Sequence, residues 1–336
     1  MNHWSIEPLI LELKFTWAIS RNSSTSKTNY LVKYSRDGIT GIGEVAPNIR
    51  YGEDAELIRS QWQQMKKILP SGIPDLEEVS ALLNTITLCN ALRCGLECAL
   101  IHWISQKSLI SVCTLLEIPE PAPVDTLFSI PIMDAKDVAT FMNEMNLQRF
   151  RMLKVKISVN QTPDFLNEIL AHSHTPLLLD ANESWSTASE FEKFLKKLPG
   201  DRILYIEQPF KSHLTNEYKR LKSSTSIPII ADESCLRNSH IHDLNHYFGG
   251  INIKLMKTGG PIKAVEHLKE ANKLGMKTMI GCMIESPIGI WWGYMLNSLA
   301  QIHDLDSFLM LKKINHQPMK EANGTLFSPH NGTSSF

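Results

Sequence analysis

The sequence carries no strong excess of either charge. Its 34 Lys and Arg stand against 35 Asp and Glu, for a formal net charge of -1. Nothing in that balance attracts nucleic acid or an anionic membrane surface. No apolar run is long enough to cross a bilayer. The opening residues, Met1-Asn2-His3-Trp4-Ser5, lack a basic segment followed by an apolar core, so no signal peptide is expected and a cytoplasmic protein is. The six cysteines (Cys89, Cys94, Cys98, Cys113, Cys235, Cys282) are scattered without paired zinc spacing. Cys94 and Cys98 lie one helical turn apart and read as small buried thiols in a reducing compartment. A glycine-rich phosphate turn is also missing. After the first apolar strand of the second half comes Ser129-Ile130-Pro131-Ile132-Met133, which argues against an open dinucleotide-binding sheet.

What is present is ordinary in amount and unusual in order. Hydrophobic residues make up 43% and charged residues 21% of 336, a soluble globular composition with length for two domains. Residues 8 to 45 read as three strands, Leu9-Ile10-Leu11, Tyr30 to Tyr34 and Gly41 to Val45, with a turn at Arg36-Asp37-Gly38. The polar stretch Ser20 to Lys27 between the first two reads as a ligand-covering loop. Helical patterns follow from Asp54 to Trp103, the longest being Asn90 to Ile104. Residues 1–120 therefore read as an α+β capping domain. After Pro121 and Pro123 short apolar strands alternate with amphipathic helices such as Pro163 to His172 and Ala188 to Leu198. Strand ends are expected near Ser129, Lys156, Asp180, Glu207, Asp232, Lys254, Cys282 and Asp304. A repeat of roughly 25 residues over 121–310 predicts a modified (β/α)8 TIM-type barrel. The tail, 311–336, is expected to pack on the capping domain, with Asn331 to Ser335 loose.

The charges at those strand ends need a common explanation. In Leu153-Lys154-Val155-Lys156-Ile157-Ser158, residues two apart share a face, so Lys154 and Lys156 lie side by side. Paired ammonium groups inside a protein require negative charge nearby. Asp180, Glu207 and Asp232 end three successive strands, and three converging carboxylates imply a hard, oxygen-seeking cation, Mg²⁺ rather than zinc. Lys156 and Lys254 come from opposite sides of the expected barrel, so a carbon held between them can lose a proton to one and regain it from the other. Lys154 and the metal would stabilise the resulting enediolate. The chemistry implied is removal of a proton beside a carboxylate, ending in epimerisation, racemisation or elimination.

These residues resemble the enolase superfamily, muconate-lactonising subgroup, and within it the L-Ala-D/L-Glu and related dipeptide epimerases. The resemblance runs through Arg50-Tyr51-Gly52-Glu53, Leu153 to Lys156, Asp180-Ala181-Asn182-Glu183-Ser184-Trp185, Glu207-Gln208-Pro209 and Ala231-Asp232-Glu233-Ser234-Cys235. It continues through Asn252-Ile253-Lys254-Leu255-Met256-Lys257 and Gly281-Cys282-Met283. It implies Lys156 and Lys254 as catalytic bases, Asp180, Glu207 and Asp232 as metal ligands, and Asn182 and Glu233 supporting them. It further implies that Asp304 and Asp306 hold a dipeptide's α-ammonium, that Arg21 receives an acidic side chain, and that Lys154 and Ser129 touch substrate. A small dipeptide from peptidoglycan turnover is the implied partner, with no nucleic acid or membrane, and a homo-oligomer is compatible with the sequence. An o-succinylbenzoate synthase, a muconate cycloisomerase or a barrel that binds without turnover are the alternatives. His240, His242 and His246 read as a solvated segment, Trp291-Trp292 as packing, and Lys257 with Gly259-Gly260 as turn residues. Glu285 is expected near the mouth.

Overall fold

The computed structural model describes residues 3–66, 75–160, 163–313 and 318–329. The chain opens with an antiparallel sheet, β1 (His3–Ala18), β2 (Ser23–Arg36) and β3 (Ile39–Val45), paired in that order. Helices α1 (Ala55–Met65), α2 (Leu76–Asn84), α3 (Asn90–Ser108) and α4 (Val112–Leu115) follow. Asp54 and Asp75 cap α1 and α2 by accepting the N–H groups of Leu57 and Glu78, each cap contributing about 1 kcal/mol. Helix α3 is buried on nearly every side and lies directly on β3. A Cβ at Gly41 or Gly43 would collide with the backbone carbonyls of Ala99 and Gly95, so glycine sets that close approach.

The first two strands are longer than the hydrophobic pattern implies. Ser23 to Lys27 belongs to β2 rather than to a loop, because β1 extends beside it and satisfies its backbone through pairs such as Glu12 with Ser26 and Leu11 with Lys27. A polar edge needs only a partner strand, not β-favouring residues. Only residues 19–22 turn, closed by the Ile19 N–H to the Asn22 carbonyl at 2.9 Å.

The second half begins with β4 (Val124–Asp125) and then eight parallel strands: β5 (Phe128–Ile130), β6 (Leu153–Lys156), β7 (Leu177–Asp180), β8 (Ile203–Glu207), β9 (Ile229–Ala231), β10 (Gly250–Lys254), β11 (Lys277–Gly281) and β12 (Ile302–Asp304). The Leu127 N–H donates to the His303 carbonyl at 2.9 Å and brings the first strand against the last. The intervening helices are α5 (Ala135–Glu144), α6 (Pro163–His172), α7 (Ala188–Leu195), α8 (Thr215–Ser224), α9 (Ile241–Leu244), α10 (Leu255–Thr258), α11 (Pro261–Lys273) and α12 (Pro287–Met295). The expected (β/α)8 barrel with an α+β cap is therefore the fold.

Alternation along each strand builds the interior in two layers. Outward residues such as Leu177, Leu179, Ile206, Ile251 and Ile253 join the large core beneath the helices. Inward residues Leu127, Leu178, Ile230, Met279 and Ile302 form a separate apolar plug. Two residues beyond Leu178, Ile230 and Ile302 come Asp180, Asp232 and Asp304, so an apolar layer supports a charged one. Trp291 and Trp292 are buried in α12, as packing residues.

Beyond the last barrel strand the chain meets the cap where Lys14 donates to the Leu309 carbonyl, Leu311 bridges Leu13 and the Lys312 N–H donates to Glu12. The hairpin β13 (Lys320–Ala322) and β14 (Thr325–Phe327) pairs with β4. Residues 331–335, expected to be loose, lie outside the described residues. No described helix is long and apolar enough to cross a membrane.

Candidate active site

Strands β6, β7, β8 and β10 end on Lys156, Asp180, Glu207 and Lys254, and Asp232 follows β9 directly. The ladder places Lys156 beside Asp180 and Asp180 beside Glu207. All five, with Lys154, lie at the base of a cavity of about 450 Å³ or directly beneath it, a size suited to a small ligand. Asp180 and Glu207 are fully buried and Asp232 nearly so. One ligand oxygen from each lies within 4.8 Å of the others.

The acids and lysines neutralise one another. Lys154 Nζ stands 3.0 Å from Asp180, 2.8 Å from Glu207 and 2.8 Å from Asp304. Lys156 Nζ donates to Asp180 at 2.5 Å and Lys254 Nζ to Asp232 at 2.9 Å. Burial alone would depress the Lys154 ammonium, but Asp180, Asp304 and Glu207 hold it well above its ordinary value. For Glu207 burial wins: with Asp180 adding repulsion, its carboxyl is pushed up to about 7 despite Lys154. Glu207 Oε2 is the oxygen that faces Lys154 Nζ at 2.8 Å, while Asn252 donates to Oε1 at 2.8 Å. Three buried carboxylates that each bring an oxygen within 4.8 Å of the others fit a hard metal cation.

Around this set lies a layer that sequence reasoning only partly resolved. The Asn182 N–H donates to Asp180 at 3.1 Å and its amide to Glu233 at 3.3 Å. Asn182 and Glu233 thus sit beside the acids. Gln208, the middle residue of Glu207-Gln208-Pro209, is fully buried. Its Oε1 accepts the N–H groups of Asp232 and Ser234, while its Nε2 donates to Ser234 and Tyr218. It therefore ties the turns after β8 and β9 together. Lys257, expected to be a turn residue only, is fully buried and donates to Asp232 at 2.5 Å and to the Asn252 carbonyl at 3.0 Å. It also lies in the turn, one residue before the last of α10, which ends at Gly259 with φ +75°. The omitted signal was alternation for Asn252, which shares its strand face with Lys254. For Lys257 it was one helical turn from Lys254.

The last strand supplies the third part. Asp304 accepts from Ser129 Oγ at 3.3 Å and from Lys154, and Asp306 accepts the Ser129 N–H at 2.5 Å. Burial and then Asp304 push the Asp306 carboxyl up to about 7. The expected residues Ser129, Asp304 and Asp306 are thus brought together across the seam of β5 and β12. Glu285, expected near the mouth, is buried behind it. Its Oε1 accepts the Met283 N–H at 2.7 Å, and neighbouring Glu44 accepts from Asn29 and Ser286.

The cap forms the roof. Trp17 places its ring 5.8 Å from Lys156 Nζ. Arg21 faces the cavity, but its guanidinium is already engaged: it donates to Glu233 at 2.8 Å, to the Asn182 carbonyl at 2.8 Å and to Glu183 at 3.3 Å. Arg50 grips the same Glu183 through Nε and Nη2 at 3.0 and 2.9 Å. Asn182 and Glu183 both have positive φ, +43° and +63°, a costly turn that lifts these partners to the roof. His242, Asp243 and His246 form an exposed cluster away from the cavity.

Three comparisons agree with this architecture. The chain resembles the L-Ala-D/L-amino acid epimerase of Maribacter sp., at 28% identity over 92% of the chain and 91% of that protein. A substrate-liganded L-Ala-D/L-Glu epimerase of Bacillus subtilis shares its fold at a TM-score of 0.89 and 23% identity, over 98% of this chain and 96% of the other. So does a dipeptide epimerase of Enterococcus faecalis, complexed with Mg and L-Leu-L-Tyr, at a TM-score of 0.87 and 24% identity over 98% and 97%. The family model described as enolase C-terminal domain-like matches residues 137–332, more than half of the sequence. The chain belongs to the enolase C-terminal domain-like family.

Proposed function

We propose that this protein is a Mg²⁺-dependent dipeptide epimerase that inverts the α-carbon of the C-terminal residue of L-Ala-D/L-Glu. The observation that carries the reading is the pair of lysines, Lys156 and Lys254, on strands four apart in an eight-stranded barrel, each held by a carboxylate of the same acidic cluster. Binding alone does not call for opposed bases. The epimerases named above support the choice of a dipeptide.

Asp180, Glu207 and Asp232 would hold the ion, with Asn182 and Glu233 fixing them. When bound, Mg²⁺ supplies positive charge beside the substrate carboxylate. One lysine, as the neutral amine, takes the α-proton and breaks the C–H bond. The electron pair passes into the adjacent carboxylate, giving a planar enediolate. The opposed lysine, as the ammonium, returns a proton to the other face and forms the new C–H bond. Asp232 raises the Lys254 ammonium above its ordinary value against the effect of burial, and a cation on that carboxylate opposes this field, as a base requires. Lys154 faces the carboxylate end, and Asp304 and Asp306, with Ser129 beside them, receive the α-ammonium. Residues 1–120 act as the covering unit and 121–310 as the catalytic one.

Incubation with Mg²⁺ in D₂O should place one deuterium at the α-carbon of L-Ala-L-Glu and L-Ala-D-Glu, read by mass spectrometry. Exchange confined to other dipeptides would correct the substrate. No exchange from any dipeptide, with metal bound, would sink the reading in favour of cycloisomerase chemistry.

A further inference from the structure

A second cavity, of about 440 Å³, lies where the cap meets the barrel and, among the described residues, shares none of its lining with the first. Asn84 comes from α2, Arg93 and Glu97 from α3, Arg237 from the segment after β9, and Lys263 and Glu266 from α11. Ile262 is the one apolar side chain among its described lining residues, so the space is built for a polar or charged ligand rather than a hydrophobic one.

Its cations are poorly compensated. Arg93 and Arg237 converge on one neutral acceptor, since Nη2 of each donates to Asn84 Oδ1, at 2.9 and 3.2 Å. Their remaining bonds go to main-chain carbonyls, those of Leu83 and Thr258. Arg93 is only 4% exposed, and its Nε–H has no acceptor among the described residues. The carboxylate that faces it is Glu97, whose Oε2 stands 3.9 Å from Nε, beyond hydrogen-bond reach. Oε1 of Glu97 already accepts the Ile262 N–H at 2.9 Å. Burial pushes the Glu97 carboxyl up to about 7, which makes it a weak counter-charge near neutral pH. Glu266 is engaged by Lys263 at 2.6 Å. Burial and then Arg237 hold the Arg93 guanidinium below its ordinary value, as two like charges kept together require.

We propose that this cavity is a second ligand site, which takes a small phosphate-type oxyanion between Arg93 and Arg237. A tetrahedral dianion presents enough oxygens to accept from both guanidiniums at once, Arg93 Nε–H included, and carries the charge that two arginines and a nearby lysine call for. Bound there, it joins the cap helices α2 and α3 to the barrel. The Arg237 N–H donates to the Lys257 carbonyl and its Nη1 to the Thr258 carbonyl, each at 3.1 Å, and Lys257 in turn holds Asp232. The anion therefore braces the segment behind the acidic floor without entering it. The site does not depend on the reaction proposed for the first cavity.

The test is calorimetric titration of the full chain with inorganic phosphate and, separately, with glycerol phosphate, at constant ionic strength. Wild type should show saturable binding, and its thermal unfolding midpoint should rise with ligand concentration. Arg237→Gln, at a partly exposed position, should weaken binding about 10- to 100-fold, while its unliganded melting curve shows that it is folded. Should that variant not fold, Lys263→Gln takes its place, with a severalfold loss expected. Tighter binding of glycerol phosphate would assign the site to a phosphate monoester and tighter binding of phosphate to the free ion, and either result carries the proposal. No saturable binding of either by wild type, or binding left unchanged in the folded variant, would overturn it.

Discussion

The floor and the roof of the cavity are built on different principles. On the floor Lys154, Lys156, Asp180, Glu207, Asp232 and Lys254 stand on or just past barrel strands, are nearly fully buried, and each lies within 3.0 Å of an opposite charge from another strand. The roof comes from a three-stranded sheet and a short turn. Its arginines reach across to Glu183 and Glu233. The floor is over-determined, so its geometry survives substrate exchange. The roof is joined to it by a few ion pairs. In the proposed reading the floor carries the reaction and receives the dipeptide's ammonium, and the roof covers the substrate.

Removing the cation should have the largest effect, because it leaves three buried acids facing the substrate carboxylate. Exhaustive chelation should abolish exchange on every dipeptide, with Mg²⁺ restoring it. If activity persists after chelation, the floor does not work as described. Asp306→Asn should come next. It removes an ion-pair acceptor without changing shape and should raise KM for dipeptides about 10- to 100-fold. N-acetylated substrates should be little affected, and steady-state kinetics on the two series would show it.

Glu183→Gln separates floor from roof more gently. It weakens the grip of both Arg21 and Arg50 and should raise KM about tenfold or less for all dipeptides with kcat nearly kept. An effect confined to kcat would place Glu183 with the floor. The smallest effect concerns the seam behind the cavity, where burial and then Glu44 push the Glu285 carboxyl up to about 8 from its ordinary 4.5. Between those values the folded chain keeps a proton that the unfolded chain has lost. Stability therefore falls as pH rises through that window and is flat above it. Thermal unfolding midpoints from about pH 5 to about pH 8 should decline less in Glu285→Gln than in wild type. Parallel curves would remove this seam from the account.

The same contrast explains what could be read from the residues in order. Leu177 to Asp180 and Ile251 to Lys254 carry their meaning locally: an apolar run, a period of two and a charge at the end. The barrel and its acids followed from that. The roof did not. Ser23 to Lys27 looks like loop because its polarity hides the pairing with β1, and that pairing is a long-range fact of backbone geometry. Arg21 was readable as a cavity-facing cation, but not its engagement with Glu233, which is 212 residues away. Lys257 was hidden differently, since its task depends on the turn of α10 that brings it to Asp232.

The most direct test of the central claim uses Lys156→Ala and Lys254→Ala separately, each incubated in D₂O with Mg²⁺ and with one epimer of L-Ala-Glu at a time. Two opposed bases predict that neither variant interconverts the epimers. Any residual α-deuterium exchange should come from the L epimer in one variant and the D epimer in the other. Interconversion by either variant would contradict the account.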